Sequence, residues 1–235
     1  MTEHKSNPHR KATTGQKVQA NMATLLFKMT HSLQGIPFQN NIIPDTLWLG
    51  QLGAASDYRF IKANRITRVC SVTQWGEAVR FHEKKGVVYH VIDLQDLPEV
   101  DILTHLDDAV KFIDSSIKEG HRVLVHCNQG RSRSATVVTA FFIKTRGSEK
   151  PVEEHVREIK VHRAAVCPNK GFMAQLRVYR LWCIATLAVR EALAHGGTCS
   201  ESRRASHKIS EVIAGYINAR ELVAAEPPQQ GKEKE

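Results

Sequence analysis

Two hydrophobic periods alternate along the middle of this chain. The short runs "TLWLG" (Thr46–Gly50), "TRVCSVT" (Thr67–Thr73), "VVYHVID" (Val87–Asp93) and "RVLVHC" (Arg122–Cys127) are rich in β-branched residues and predict strands. Between and after them the period lengthens. Residues Asp101–Lys118 set Ile102, Leu106, Ala109, Ile113 and Ile117 on one helical face. Ala135–Lys144 is apolar nearly all round, which predicts a buried helix closed by Gly147. "SEKPVEEHVREIKVHR" begins with Pro151 and two acids, a helix start. "PNKG" (Pro168–Gly171) reads as a turn, and Phe172–Leu187 as a final amphipathic helix. Strands separated by helices predict an α/β fold: a central mixed, mostly parallel sheet flanked by helices.

The ends of the chain lack this pattern. Residues 1–40 are mostly polar and read as an N-terminal extension, with one helix-like patch around Val18–Leu33. Residues 41–189 carry the strand–helix pattern, and residues 190–235 read as a C-terminal extension. That extension opens on "HGGTCSESRRAS", holds a short helical pattern at Ile209–Val223 and ends in "AEPPQQGKEKE". The last stretch has nothing to bury and is expected to be disordered.

Composition narrows the class. Of 235 residues, 42% are hydrophobic and 24% charged, as in soluble globular proteins. No apolar run approaches the ~20 residues of a membrane span. "MATLLF" (Met22–Phe27) is too short for a signal-peptide core, and Thr2 excludes glycine myristoylation. A cytoplasmic protein is expected, with nuclear access open. The net charge of +9 is spread out: +4 in residues 1–40, zero in residues 188–235 and +5 between. No basic run with interleaved aromatics suggests nucleic acid, and no membrane partner is expected. The five cysteines include no CxxC pair, so reduced thiols fit better than a disulfide framework. The twelve histidines form no HxxH pattern, and no metal is expected.

One stretch concentrates the chemistry. "HCNQGRSRS" (His126–Ser134) lies between a predicted strand and a predicted buried helix. There the backbone N–H groups of Asn128, Gln129, Gly130, Arg131, Ser132 and Arg133 can converge on an anion at the positive end of the helix dipole. Gly130 allows the tight turn, and Arg133 offers two parallel donors to a tetrahedral oxyanion. Within that ring the Cys127 sulfur would be held as a thiolate, aimed at a bound phosphorus. A polar turn with a packed cysteine is the plainer alternative. Against it stand the histidine before Cys127, Gly130 three residues after it, Ser134 after Arg133, and the strand–loop–helix setting.

A leaving group also needs a proton. The stretch "DLQDLPEVD" offers Asp93, Asp96, Glu99 and Asp101. Asp93 sits at a strand end and Asp101 is placed to cap the following helix, whereas Asp96 lies mid-loop. Ser134 either donates to the Cys127 sulfur or merely starts the helix. His126 either holds the loop by hydrogen bonds or simply packs, with proton exchange the weaker alternative. Cys70, on a neighbouring strand, reads better as a buried thiol than as a disulfide partner of an oxidised Cys127. "RRAS" (Arg203–Ser206) resembles a basophilic kinase site, a match common by chance.

HCxxGxxRS resembles the signature of the cysteine-dependent protein phosphatases, in particular their compact dual-specificity branch. The resemblance runs over roughly Asn41–Val189. It includes "IPDTLWLGQLGAA", "ITRVCSV", "FIKTRGSEKPVEEHVREIKVHR" and "CPNKGFMAQLRVY". It implies an α/β fold, a phosphocysteine intermediate, a phosphoprotein substrate and no metal or cofactor. It also favours Asp96 as the general acid, from its position relative to "FID" (Phe112–Asp114). The chain departs from the family at Gln129, where alanine is usual, and carries Arg131 at a variable position. Neither change removes a catalytic group. The same chemistry on a phosphoinositide, an RNA 5′ end or a phosphoglycan is an alternative, as is a phosphate-binding module without turnover. Oligomeric state is not readable.

Overall fold

Period-2 alternation splits the strand side chains between two faces of one sheet. In the computed structural model, which describes residues 39–74 and 80–194 with residues 207, 210, 212 and 214, five strands form that sheet. They are β1 (Gln39–Ile43), β2 (Leu47–Gly50), β3 (Ile66–Thr73), β4 (Val88–Asp93) and β5 (Arg122–His126), in the order β1-β2-β5-β3-β4. Only β1 is antiparallel to its neighbour. The mixed, mostly parallel sheet flanked by helices is as expected.

The two faces bury different clusters. Leu47, Leu49, Cys70, Val72, Val123 and Val125 pack against four long helices: α3 (Leu103–Lys118), α4 (Arg133–Arg146), α5 (Val152–His162) and α6 (Lys170–Ala194). Trp48, Val69, Tyr89 and Leu124 face the other way, with Ala55 and Ile61 of two short helices, α1 (Leu52–Ser56) and α2 (Tyr58–Ala63). A one-residue slip of any strand would exchange these sets, so the register is fixed by burial. Helix α4 is buried from Arg133 to Ile143 and packs on α3, α5 and α6. This is why its sequence is apolar all round.

Several elements differ from the sequence expectation. Strand β1 was not predicted: "QNNII" is half polar, and as an edge strand it is mostly only partly buried. Helices α1 and α2, at five and six residues, are too short to show a helical period. Helix α6 continues past Leu187 to Ala194, because no breaker precedes Gly196. The patch Val18–Leu33, Trp75, Cys199, "RRAS" and the C-terminal "AEPPQQGKEKE" lie outside the described residues. Within the predicted helix Ile209–Val223, residues 210, 212 and 214 are described, and they are helical. No helix among the described residues is long and apolar enough to cross a membrane.

Candidate active site

Strand β5 sits at the centre of the sheet, between β2 and β3, and ends at His126. Ligands of open parallel sheets bind outside such carboxyl ends. The loop Cys127–Ser132 leads from there into the first turn of α4, where the positive end of the helix dipole lies.

The loop is held from outside through its carbonyl groups. Asn128 O accepts from Leu52 N–H at 3.2 Å and Arg131 O from Cys167 N–H at 2.8 Å. Gln129 O and Gly130 O accept from Arg163 Nη2 and Nε at 3.1 and 2.8 Å. Ser132 O accepts the Thr136 N–H at 2.8 Å, within α4. Across a trans peptide the N–H points opposite to its C=O, and the described residues contain no cis bond. Carbonyls tied outward therefore leave amides facing inward, as an anion cup requires. Gly130 has φ +63, and a Cβ there would stand 2.5 Å from Gly50 O, so glycine is needed both for conformation and for space.

Cys127 lies at the floor, 1% exposed. Its Sγ accepts from Gly130 N–H at 3.2 Å and from the Ser134 hydroxyl at 3.1 Å. Two donors thus converge on the sulfur. His126 is fully buried and bridges two strands: its Nε2 lies 2.7 Å from Ser71 Oγ and its Nδ1 3.4 Å from Cys127 O. That carbonyl can only accept, so Nδ1 carries the proton and Nε2 accepts from Ser71. Burial, with Arg133 nearby, lowers the His126 pKa to about 4 against the opposing pull of the Cys127 carbonyl, and the ring is neutral at pH 7.

Arg133 is 7% exposed, with Nη1 donating to Leu94 O at 3.3 Å and Nε 3.5 Å from Asp96 Oδ2. Asp96 is drawn over the loop. Its Oδ1 accepts from Ser132 Oγ at 2.6 Å and from Asn169 Nδ2 at 2.9 Å. Ser132 Oγ in turn accepts Asn169 N–H at 3.1 Å. The other acids stand apart from this network. Asp93 is exposed at the end of β4, Glu99 is exposed, and Asp101 accepts Thr104 N–H at 3.2 Å at the start of α3. The exposed Arg131 stands on the rim.

The loop that carries Asp96 is fixed at its far end by Gln175. Its Oε1 accepts the N–H groups of Ile102 and Leu103, both at 2.9 Å, and its Nε2 donates to Val100 O at 2.9 Å. Near Asp96, the start of α6 presses against Pro98, and a Cβ on Gly171 would fall 1.9 Å from Pro98 O. Sequence reading missed Ser71, Arg163, Asn169, Gly171 and Gln175 as parts of this site. "PNKG" was read only as a turn, although it supplies both Asn169 and Gly171. Cys70 is fully buried and burial pushes its thiol up to about 12, which favours the structural reading. No group of three or more His, Cys, Asp or Glu side chains among the described residues is placed to hold a metal ion.

The arrangement combines a sulfur under inward-facing amides, a guanidinium at the loop's end, and a carboxyl group above. A family model described as dual specificity phosphatase, catalytic domain, matches residues 47–181. Over 146 residues the chain is 32% identical to dual specificity protein phosphatase 19 of Mus musculus, covering 62% of this chain and 64% of that protein. It therefore spans less than two thirds of that relative's length. Over 137 residues it is 33% identical to dual specificity protein phosphatase 1B of Arabidopsis thaliana, covering 58% and 79%. The crystal structure of a mouse putative dual specificity phosphatase complexed with zinc tungstate matches with a TM-score of 0.58 and 30% identity. That match covers 64% of this chain and 91% of that one.

Proposed function

We propose, since this chain belongs to the dual-specificity phosphatase family, that it removes phosphate from tyrosine and from serine or threonine of proteins through a phosphocysteine intermediate. It is a cysteine-dependent phosphatase; the substrate class and the residue roles are our reading. In that reading the Cys127 thiolate attacks phosphorus and the S–P bond forms as the ester P–O bond breaks. Asp96 gives its proton to the leaving oxygen. Water then attacks phosphorus, Asp96 takes a proton from it, and the S–P bond breaks to release phosphate and restore the thiolate. Arg133 and the amides of Asn128 through Arg133 bind the phosphoryl oxygens and the charge that develops on them. Ser134 stabilises the departing sulfur, and His126 positions the loop as a neutral ring. The chemistry calls for no metal and no cofactor.

One observation carries this reading: the Cys127 sulfur receives the Gly130 amide and the Ser134 hydroxyl together, at 3.2 and 3.1 Å. A merely packed cysteine has no need of two converging donors. Arg131 is the only cation at the variable positions of the loop, which fits a peptide better than a polyanionic lipid headgroup. Purified protein should hydrolyse phosphotyrosine and phosphothreonine peptides without added metal and be blocked by vanadate. Faster turnover of phosphoinositide vesicles, or of an RNA 5′-phosphate, would replace the protein substrate and keep the chemistry.

A further inference from the structure

Beyond the cup itself lies a buried cation that the reaction scheme does not use. Arg163 directly follows α5, is 2% exposed, and reaches the loop Cys127–Ser132 from behind. Its Nε donates to Gly130 O at 2.8 Å, its Nη2 to Gln129 O at 3.1 Å, and its Nη1 to Asn40 Oδ1 of β1 at 2.8 Å. One planar guanidinium thus grips two consecutive carbonyls and is itself fixed by the first strand.

The grip has a directional consequence. The peptide group of Gln129 O carries the Gly130 N–H, and that of Gly130 O carries the Arg131 N–H. Holding both oxygens outward turns both amides inward, and the first of them does lie 3.2 Å from Cys127 Sγ. Gly130 sits at φ +63, and with no side chain to bias its backbone it gains from such a hold. Burial lowers the Arg163 pKa from its ordinary value, and attraction to the Cys127 charge opposes this.

We infer that Arg163 is a positioning residue for catalysis. It acts through the Gln129 and Gly130 carbonyls to aim two loop amides at the sulfur and at the phosphoryl oxygens, with Asn40 holding it in place. The inference rests on the proposed role of Cys127. It implies that β1 and the end of α5, although outside the signature loop, set how tightly the cup binds an oxyanion.

The test measures tungstate affinity by calorimetry and steady-state kinetics on an aryl phosphate, for the full chain and for Arg163→Met, Arg163→Lys and Asn40→Ala. Melting curves establish that each variant is folded. Losing one oxyanion donor outright costs ~10²–10³ in kcat, and misaiming two donors should cost somewhat less, about tenfold to hundredfold. Arg163→Met should lower kcat by that factor and weaken tungstate binding about tenfold. Arg163→Lys, which can still reach one carbonyl, should recover part of both, and Asn40→Ala should lie between it and the parent. Should Arg163→Met fail to fold, Arg163→Lys and Asn40→Ala decide alone. A folded Arg163 variant with parental kcat and tungstate affinity overturns the inference. So does a loss of stability that leaves both unchanged, since that marks a purely structural contact. Cys127→Ser, run in parallel, separates the two readings: retained turnover there defeats the nucleophile assignment itself, whatever Arg163 does.

Discussion

The hydroxyl of Ser132 donates to Asp96 Oδ1 across 2.6 Å, so the loop Cys127–Ser132 itself holds the carboxyl group that lies over it. Ser132 also accepts from Asn169 N–H, and Asn169 Nδ2 donates to the same carboxylate oxygen. Loop, carboxylate and the start of α6 are thus joined by one small network. Ser132→Ala removes its centre. The expected result is about a tenfold lower kcat on phosphopeptides, whose leaving groups need a proton, and little change on an aryl phosphate with a good leaving group. Equal losses on both substrates would mean that Ser132 does not position the acid.

Asp96→Ala removes the proposed proton donor. Turnover of phosphopeptides should fall by ~10²–10⁴, with a much smaller loss for a good leaving group. Asp93→Ala, which alters an exposed strand end outside the network, should leave the leaving-group dependence as in the parent. The reverse pattern, measured with the same pair of substrates, would move the acid to Asp93.

Ser134 offers its hydroxyl to the sulfur at 3.1 Å, and in the proposed scheme that contact eases departure of the thiolate from phosphorus. A hydrogen bond to a charged group contributes about 1.5–3 kcal/mol, so Ser134→Ala should slow the second step roughly tenfold to hundredfold. Rapid-mixing experiments should then show a burst of alcohol release followed by a slow steady state. If Ser134 only starts the helix, no burst appears and stability alone changes.

His126 gives the site a pH signature in stability. Its folded pKa of about 4 lies below the ordinary 6.5, so the unfolded chain binds more protons between those values. Stability should be full above about pH 6.5 and fall as the pH drops toward 4, by up to about 3 kcal/mol from this residue. His82, His90 and His155, also lowered chiefly by burial, act in the same direction. Urea titrations between pH 4 and 7 should show the slope, and His126→Gln should flatten it. A slope unchanged in that variant would place the titration elsewhere.

The signature loop was legible because its chemistry lies within nine consecutive residues, His126–Ser134, framed by a strand and a helix that announce themselves by period. Asp96 could be chosen among four acids by elimination and by resemblance, since Asp101 faces a helix start and Asp93 a strand end. The supports of the loop were not legible. Arg163 meets the Gly130 carbonyl from 33 residues downstream, and Asn169 meets Ser132 from 37. An arginine after a helix and an asparagine in a turn look ordinary until the fold brings them to a carbonyl or a carboxylate. Strand β1 escaped for a related reason: Gln39, Asn40 and Asn41 are poor strand formers, paired because β2 offers them an edge.

In the proposed reaction phosphate passes through the Cys127 sulfur. The direct measurement is to mix Ser134→Ala protein with a phosphotyrosine peptide, quench in acid within the first turnover, and weigh the peptide that contains residues 122–133 by mass spectrometry. The expected result is the added mass of one phosphoryl group on Cys127, formed before steady state and absent from Cys127→Ser. A full first turnover with that peptide unmodified, together with retained activity in Cys127→Ser, would contradict it.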